Sequence, residues 1–164
     1  MLKFLLVLCA VTTVSREVAA QAYVRVEPVN LQGPRILQEQ AKAAAVRDYL
    51  KSWQSLKDAL QQNRVDLLNS DFVGVARDKL ADTIQQQAAL GIHTTYEDRA
   101  HDIQFVFYSP EGLSLELKDN VEYDLQIFDH DKVTARQRVR ASYIVVLTPA
   151  EVRWKVRVLQ SVPE

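Results

Sequence analysis

The sequence predicts an α+β domain in which N-terminal helices pack on a four-stranded antiparallel meander sheet. Three observations lead there. Apolar residues recur at helical spacing through the first half of the chain; from Ile92 the period becomes two; and turn sequences interrupt the second half at Ser109 to Gly112, Asp129 to Asp131 and Thr148 to Glu151.

The chain opens MLKFLLVLCAVTTVSREVAAQAYV, with Lys3, an apolar run from Phe4 to Val14 and an Ala20-Gln21-Ala22 ending. This is the order of a secretory signal peptide over residues 1–22, cleaved after Ala22 or after Ala20, and its apolar run is too short to span a bilayer. Export is therefore expected, to a periplasm or to the exterior, with no stable membrane insertion after cleavage. Cleavage after Ala22 leaves 142 of the 164 residues, enough for one core. The single Cys leaves with the signal, which removes disulfides, thiol catalysis and Cys-based metal sites. Without Lys3, Arg16 and Glu17 the remaining chain has 18 basic and 20 acidic residues, a formal charge of −2. A nearly neutral domain lacks the net basic footprint of a general nucleic-acid binder.

Residues 23–35 read as an extended lead-in, since Tyr23 to Pro34 contains two Pro and a Gly without a sustained period. Residues 36–164 then form one domain. Val46, Tyr49, Leu50, Trp53, Leu56 and Leu60 lie on one helical stripe and predict a helix from about Ile36 to Asn63. A short turn at Val65 to Leu68 leads to Ser70 or Asp71 as the N-cap of a second helix carrying Val73, Leu80, Ile84 and Ala88, with Gly91 as its stop.

Strands are expected at about 99–108, 113–128, 132–147 and 152–160. Requiring each apolar set to share one face pairs Ile103, Phe105 and Phe107 with Leu117, Leu115 and Leu113. By the same rule Val121, Tyr123, Leu125 and Ile127 meet Val139, Gln137, Ala135 and Val133, and Val152, Trp154, Val156 and Val158 meet Leu147, Val145, Tyr143 and Ala141. On the outer face Arg136 then meets Asp124 and Arg138 meets Glu122, cross-strand pairs worth roughly 0.2–1 kcal/mol each. Arg153, Lys155 and Arg157 meet Val146, Ile144 and Ser142 and have no carboxylate opposite.

The sequence contains no Gly-rich phosphate loop, no H-E-x-x-H, no nucleophile elbow and no paired Cys, and it implies neither metal nor cofactor. Asp129-His130-Asp131 suits a hairpin tip better than a metal cluster, and His93, just after a helix end, suits a cap or solvent. His101 shares the inward parity of Ile103 and faces Asp119 in the expected register. That pairing fits a general acid and base, because the carboxylate would fix the imidazole tautomer; it equally fits a polar closure of the sheet end. Trp53, Tyr123, Gln137, Tyr143 and Trp154 also point inward, as pocket lining or as core.

The helix AVRDYLKSWQSLKDAL, the turn RVDLLNSDFVG and the closing strand VRWKVRVLQ together resemble the nuclear transport factor 2-like superfamily over about Ala43 to Gln160. Asp71-Phe72-Val73-Gly74 and Trp154-Lys155-Val156 are the most telling pieces. The resemblance implies a curved sheet wrapped around helices as a cone, with an interior that is filled, ligand-binding or catalytic. It implies either a non-enzymatic domain that binds a small apolar ligand or a protein partner, or an isomerase, cyclase or dehydratase using His101 and Asp119. A third reading is an assembly domain of a cell-envelope complex. Many members dimerise through the outer sheet face, and here Ile144, Val146, Arg153, Lys155 and Arg157 are the expected interface of a homodimer.

Overall fold

The computed structural model describes residues 22–29, 31 and 35–163. The expected signal peptide, residues 1–22, lies outside them except for Ala22. The elements in order are β1 (Tyr23–Val26), α1 (Glu39–Gln62), a 3-10 turn (Val65–Ser70), α2 (Gly74–Ala89), β2 (Ile92–Tyr108), β3 (Leu115–Asp129), β4 (Lys132–Pro149) and β5 (Trp154–Val162). They form one sheet in the order β1-β2-β3-β4-β5, antiparallel except where β1 runs parallel to β2. The expected sheet was thus one strand short, and the lead-in supplies the missing strand. It escaped notice because four residues followed by Pro28 carry too little alternation to register as a strand.

Helix α1 covers the concave face. Its buried side is Ala45, Asp48, Tyr49, Ser52, Trp53, Leu56 and Ala59, a stripe that includes two polar positions the apolar spacing passed over. The helix ends at Asn63 in the left-handed conformation (φ 53°), whose N–H bonds the Ala59 carbonyl. Buried residues of α2, Ala76, Ala81, Ile84 and Gln87, complete the helical layer. Between the layers lie Phe72, Ile103, Phe105, Leu115, Leu117, Val145, Leu147 and Val156, all almost fully buried.

The registers differ from the expected ones by two residues in the first two hairpins and by four in the third. His101 pairs with Val121, Phe105 with Leu117, Tyr123 with Val139, and Leu147 with Val156. The offsets come from where the hairpins close, at Tyr108/Leu115, Asp129/Lys132 and Pro149/Trp154, together with bulges at Asp98/Ala100, Phe105/Phe107, Ile127/Phe128 and Val146/Leu147, each adding a residue that strict alternation cannot anticipate. The Phe105/Phe107 bulge also exchanges sides: Tyr108 is buried where Phe107 was expected. The shift preserves the outer charge ladder with new members. Arg138 donates from Nε to Asp124 Oδ1 at 2.8 Å, Arg140 from Nε to Glu122 Oε2 at 3.1 Å, and Arg136 lies opposite Gln126. Arg138 and Arg99 together hold the Asp124 carboxyl down at about 2.

Asp71 does not cap α2; the N-cap is Val73, with no side-chain cap bond. Asp71 is instead 1% exposed and accepts from Ser55 Oγ at 2.6 Å and Arg153 Nη1 at 3.2 Å. Its carbonyl accepts from Val156 N–H, and Val73 N–H donates to the Val156 carbonyl, so this segment adds one parallel rung beside β5. Two turns before Ser55 on the same face of α1, Asp48 Oδ2 accepts the Trp154 N–H at 2.9 Å. Two buried carboxylates therefore fix where the last strand begins. Asp71→Ala should lower stability by about 2–3 kcal/mol in urea unfolding, because it orphans a half-buried hydroxyl and removes the partner of Arg153; Asp71→Asn, which still accepts from Ser55, should lose less.

Candidate functional site

Three elements place a polar cluster inside the cone. One turn of α1 separates Tyr49 from Trp53, β3 presents Asp119, and β2 presents both Asp98 and His101. Strict alternation would put Asp98 and His101 on opposite faces; the bulge between Asp98 and Ala100 brings both inward. Asp98 was missed for that reason. The available signal was the phase conflict between Tyr96, which belongs inside, and His101 on the same strand.

Asp119 is fully buried. Its Oδ2 accepts from Tyr49 Oη at 2.8 Å and lies 2.7 Å from His101 Nδ1, within hydrogen-bond reach of that ring nitrogen. The expected pair is present, though its members are diagonal neighbours rather than opposite ones. His101 Nε2 lies 4.0 Å from Asp98 Oδ1. Asp98 Oδ1 and Asp119 Oδ1 are both buried without a hydrogen-bond partner. Burial, reinforced by the charge of Asp119, pushes the Tyr49 phenol up, so it remains a donor. Burial also raises the Asp98 carboxyl above its ordinary value, against the opposing pull of His101 and Lys57.

Trp53 fills the space beside this cluster. Its ring centroid lies 6.4 Å from Tyr49, 5.8 Å from Tyr96, 5.1 Å from His101, 6.0 Å from Tyr123 and 5.8 Å from Tyr143, mostly edge to face. Trp53 is 4% exposed and His101 2%. Tyr123 and Tyr143 are half-buried at the rim. Gln137, expected inside, is exposed, because β4 runs past the end of α1 at that point. Trp154 is half-buried at the far end of α1, edge-on to Tyr108 at 6.3 Å, and shares no space with Trp53. A surface groove of about 510 Å³ is bounded by Ser70, Ala150, Val152 and Lys155, and another of about 300 Å³ by Ala100, Asn120 and Arg140; neither reaches His101 or Asp119.

The two remaining His lie elsewhere. His93 stacks on its cross-strand partner Phe128 at 4.8 Å rather than capping α2. His130 occupies the β3–β4 tip with φ 53°, as a turn residue.

The expected interface strip divides. Ile144 and Val146 are half-buried on the outer face, and Val146 pairs with Val158 after the β5 bulge. Arg153 and Lys155 turn to the 3-10 turn and the residue after it, Arg153 to the Asp71 carboxylate and Lys155 Nζ to the Asn69 carbonyl at 3.0 Å. The expectation that the last-strand cations lack a carboxylate therefore fails for Arg153, because the segment after α1 packs beside β5. Arg157 is exposed.

Helices α1 and α2 held in a curved five-stranded sheet with a short parallel edge define the nuclear transport factor 2-like fold. No family model and no curated protein matches the sequence. Among solved structures, the intermembrane-space region of the chloroplast protein ARC6 is similar with a TM-score of 0.63 at 14% identity, over 80% of this chain and 100% of that one. A putative scytalone dehydratase from Novosphingobium aromaticivorans gives 0.51 at 12% identity, over 77% and 89%. The Kfla4162 protein from Kribbella flavida gives 0.51 at 8% identity, over 73% and 90%. At these identities the likeness is one of fold.

Two outcomes test the cluster. Trp53→Ala should cost about 3–5 kcal/mol in denaturant unfolding, as expected for emptying a packed aromatic site. For Asp98 the folded carboxyl titrates above its ordinary 3.8, so the folded state holds the proton more tightly. The stability this gives is complete below 3.8 and is lost as pH rises through the raised value. Asp98→Asn should therefore equal or exceed wild type in thermal unfolding near pH 7, with the difference closing as pH falls to 4. A variant that is less stable at pH 7 would show that the charge is favourably held.

Proposed function

We infer that this chain is an exported, non-enzymatic association domain that engages a protein partner through the outer face of its sheet. One observation supports the reading above others: Trp53 occupies the cone interior, and the His101, Asp119 and Tyr49 side chains that could perform acid-base chemistry are sealed behind it. A general acid or base must come within hydrogen-bond reach of its substrate. In this reading the cluster ties α1 to the sheet.

The surface that stays available is the outer face. Its ladder pairs Arg138 and Arg140 with Asp124 and Glu122 and so neutralises much of the face locally, leaving Ile144, Val146 and Val158 as a small apolar strip beside it. A small apolar centre bordered by satisfied polar groups suits a modest protein contact, a second copy of this chain included. Export rests on the sequence of residues 1–22, and the similar ARC6 region, from an intermembrane space, is in keeping with a compartment beyond a membrane.

Two measurements test this. Ile144→Asp should reduce the solution mass to that of a single chain and abolish association through this face; an unchanged oligomer would count against the assignment. Titration with a planar aromatic ketone, a probe for a cone pocket, should leave the fluorescence of buried Trp53 unchanged. A saturable change that disappears in Trp53→Phe would instead support a ligand-binding cone.

A further inference from the structure

β1 is a thinly attached part of the sheet. Tyr23 is 68% exposed and Val24 38%, and the strand meets β2 over four residues, Tyr23 to Val26 against Ala100 to Ile103. Backbone and charge hold it there. Glu27 N–H donates to the Ile103 carbonyl at 2.8 Å, and the Arg25 guanidinium forks onto Asp102, Nε to Oδ1 at 2.9 Å and Nη2 to Oδ2 at 2.7 Å. Arg25 Nη2 also lies 2.7 Å from Glu27 Oε1. Of the strand itself, Val26 alone joins the partly buried residues packed on the core. Pro28, which has no N–H, ends the ladder.

Without β1, the backbone groups of Ala100 to Ile103 would form a bare edge directly beside the sealed His101. Such an edge recruits a strand, and main-chain bonds do not distinguish a strand of the same molecule from one of another. What sets register and choice is the fork between Arg25 and Asp102.

We propose that the β2 edge from Ala100 to Ile103 is a strand-addition site whose occupant exchanges between molecules. The lead-in of a second copy docks there in the same parallel register, so that in a reciprocal dimer each copy's Tyr23 to Glu27 lies on the other's β2. Exchange of an identical element preserves every contact seen within one chain, and β1, with its exposed side chains and few bonds, is the element that opens at least cost. Closure within one chain is favoured at low concentration because the segment is tethered; exchange grows with concentration.

Charge reversal in the full chain tests this apart from the sheet face. In Arg25→Glu the lead-in carries Glu against Asp102, and in Asp102→Arg the edge carries Arg against Arg25, so neither variant closes favourably on itself or on its own kind. Mixed, they restore two complementary forks, both between molecules. With donor and acceptor labels at the C-termini, energy transfer in the mixture should report association at least about tenfold tighter than in either variant mixed with itself. The double variant, complementary within one chain, should return to wild-type behaviour and melting temperature, which also verifies folding. Equal transfer in the cross mixture and both self mixtures would overturn the proposal, whatever association the outer face supports.

Discussion

The Asp119 carboxylate joins three elements at one fully buried point. From β3 it accepts from Tyr49 on α1 and lies against His101 on β2, with no exposure to solvent. Hydrophobic burial would press the helix onto the sheet at many rotations, whereas a buried charge accepts very few arrangements of its partners. The rotation that satisfies Asp119 also places Trp53 one turn along the same helix, against five aromatic neighbours, and points Ser55 at Asp71 and Asp48 at the start of β5. The positions of the helix, the plug and the last strand thus follow from one anchoring group.

That dependence explains how far the sequence could be read. Helical spacing located α1 within three residues at each end, since a stripe of six apolar positions tolerates local exceptions. The pairing of His101 with Asp119 was also legible, although the register used to find it was off by two, because side chains on one face of a sheet reach diagonal neighbours. What stayed hidden had a common physical origin. Bulges add single residues that leave no compositional mark: one, with the closure of its hairpin, moved the ladder to Arg138 and Arg140, another turned Tyr108 inward and a third brought Asp98 to the cluster. Asp71 resembled an N-cap because Asp before a helix usually is one; its buried role depends on Arg153, 82 positions away.

A cone fold offers an interior, and what occupies the interior decides what the fold can do. Here a Trp and a sealed polar cluster occupy it, and mutual hydrogen bonding offsets the cost of placing His101 and Asp119 out of water. Among the described residues two buried carboxylate oxygens, Asp98 Oδ1 and Asp119 Oδ1, have no hydrogen-bond partner. A core of this kind trades some stability for specificity of arrangement.

The rung that Asp71 and Val73 place beside β5 has a consequence for assembly size. At Val156 both outward backbone groups are already bonded to this segment, so a further strand cannot run unbroken along that margin. The sheet therefore ends differently on its two sides: one margin is stapled shut by the chain's own backbone, the other is covered by a light four-residue strand. Fibres that grow by joining sheet to sheet need a free margin at both ends of every unit. The rung at Val156 breaks the run of open backbone groups that strand-by-strand growth along β5 would use.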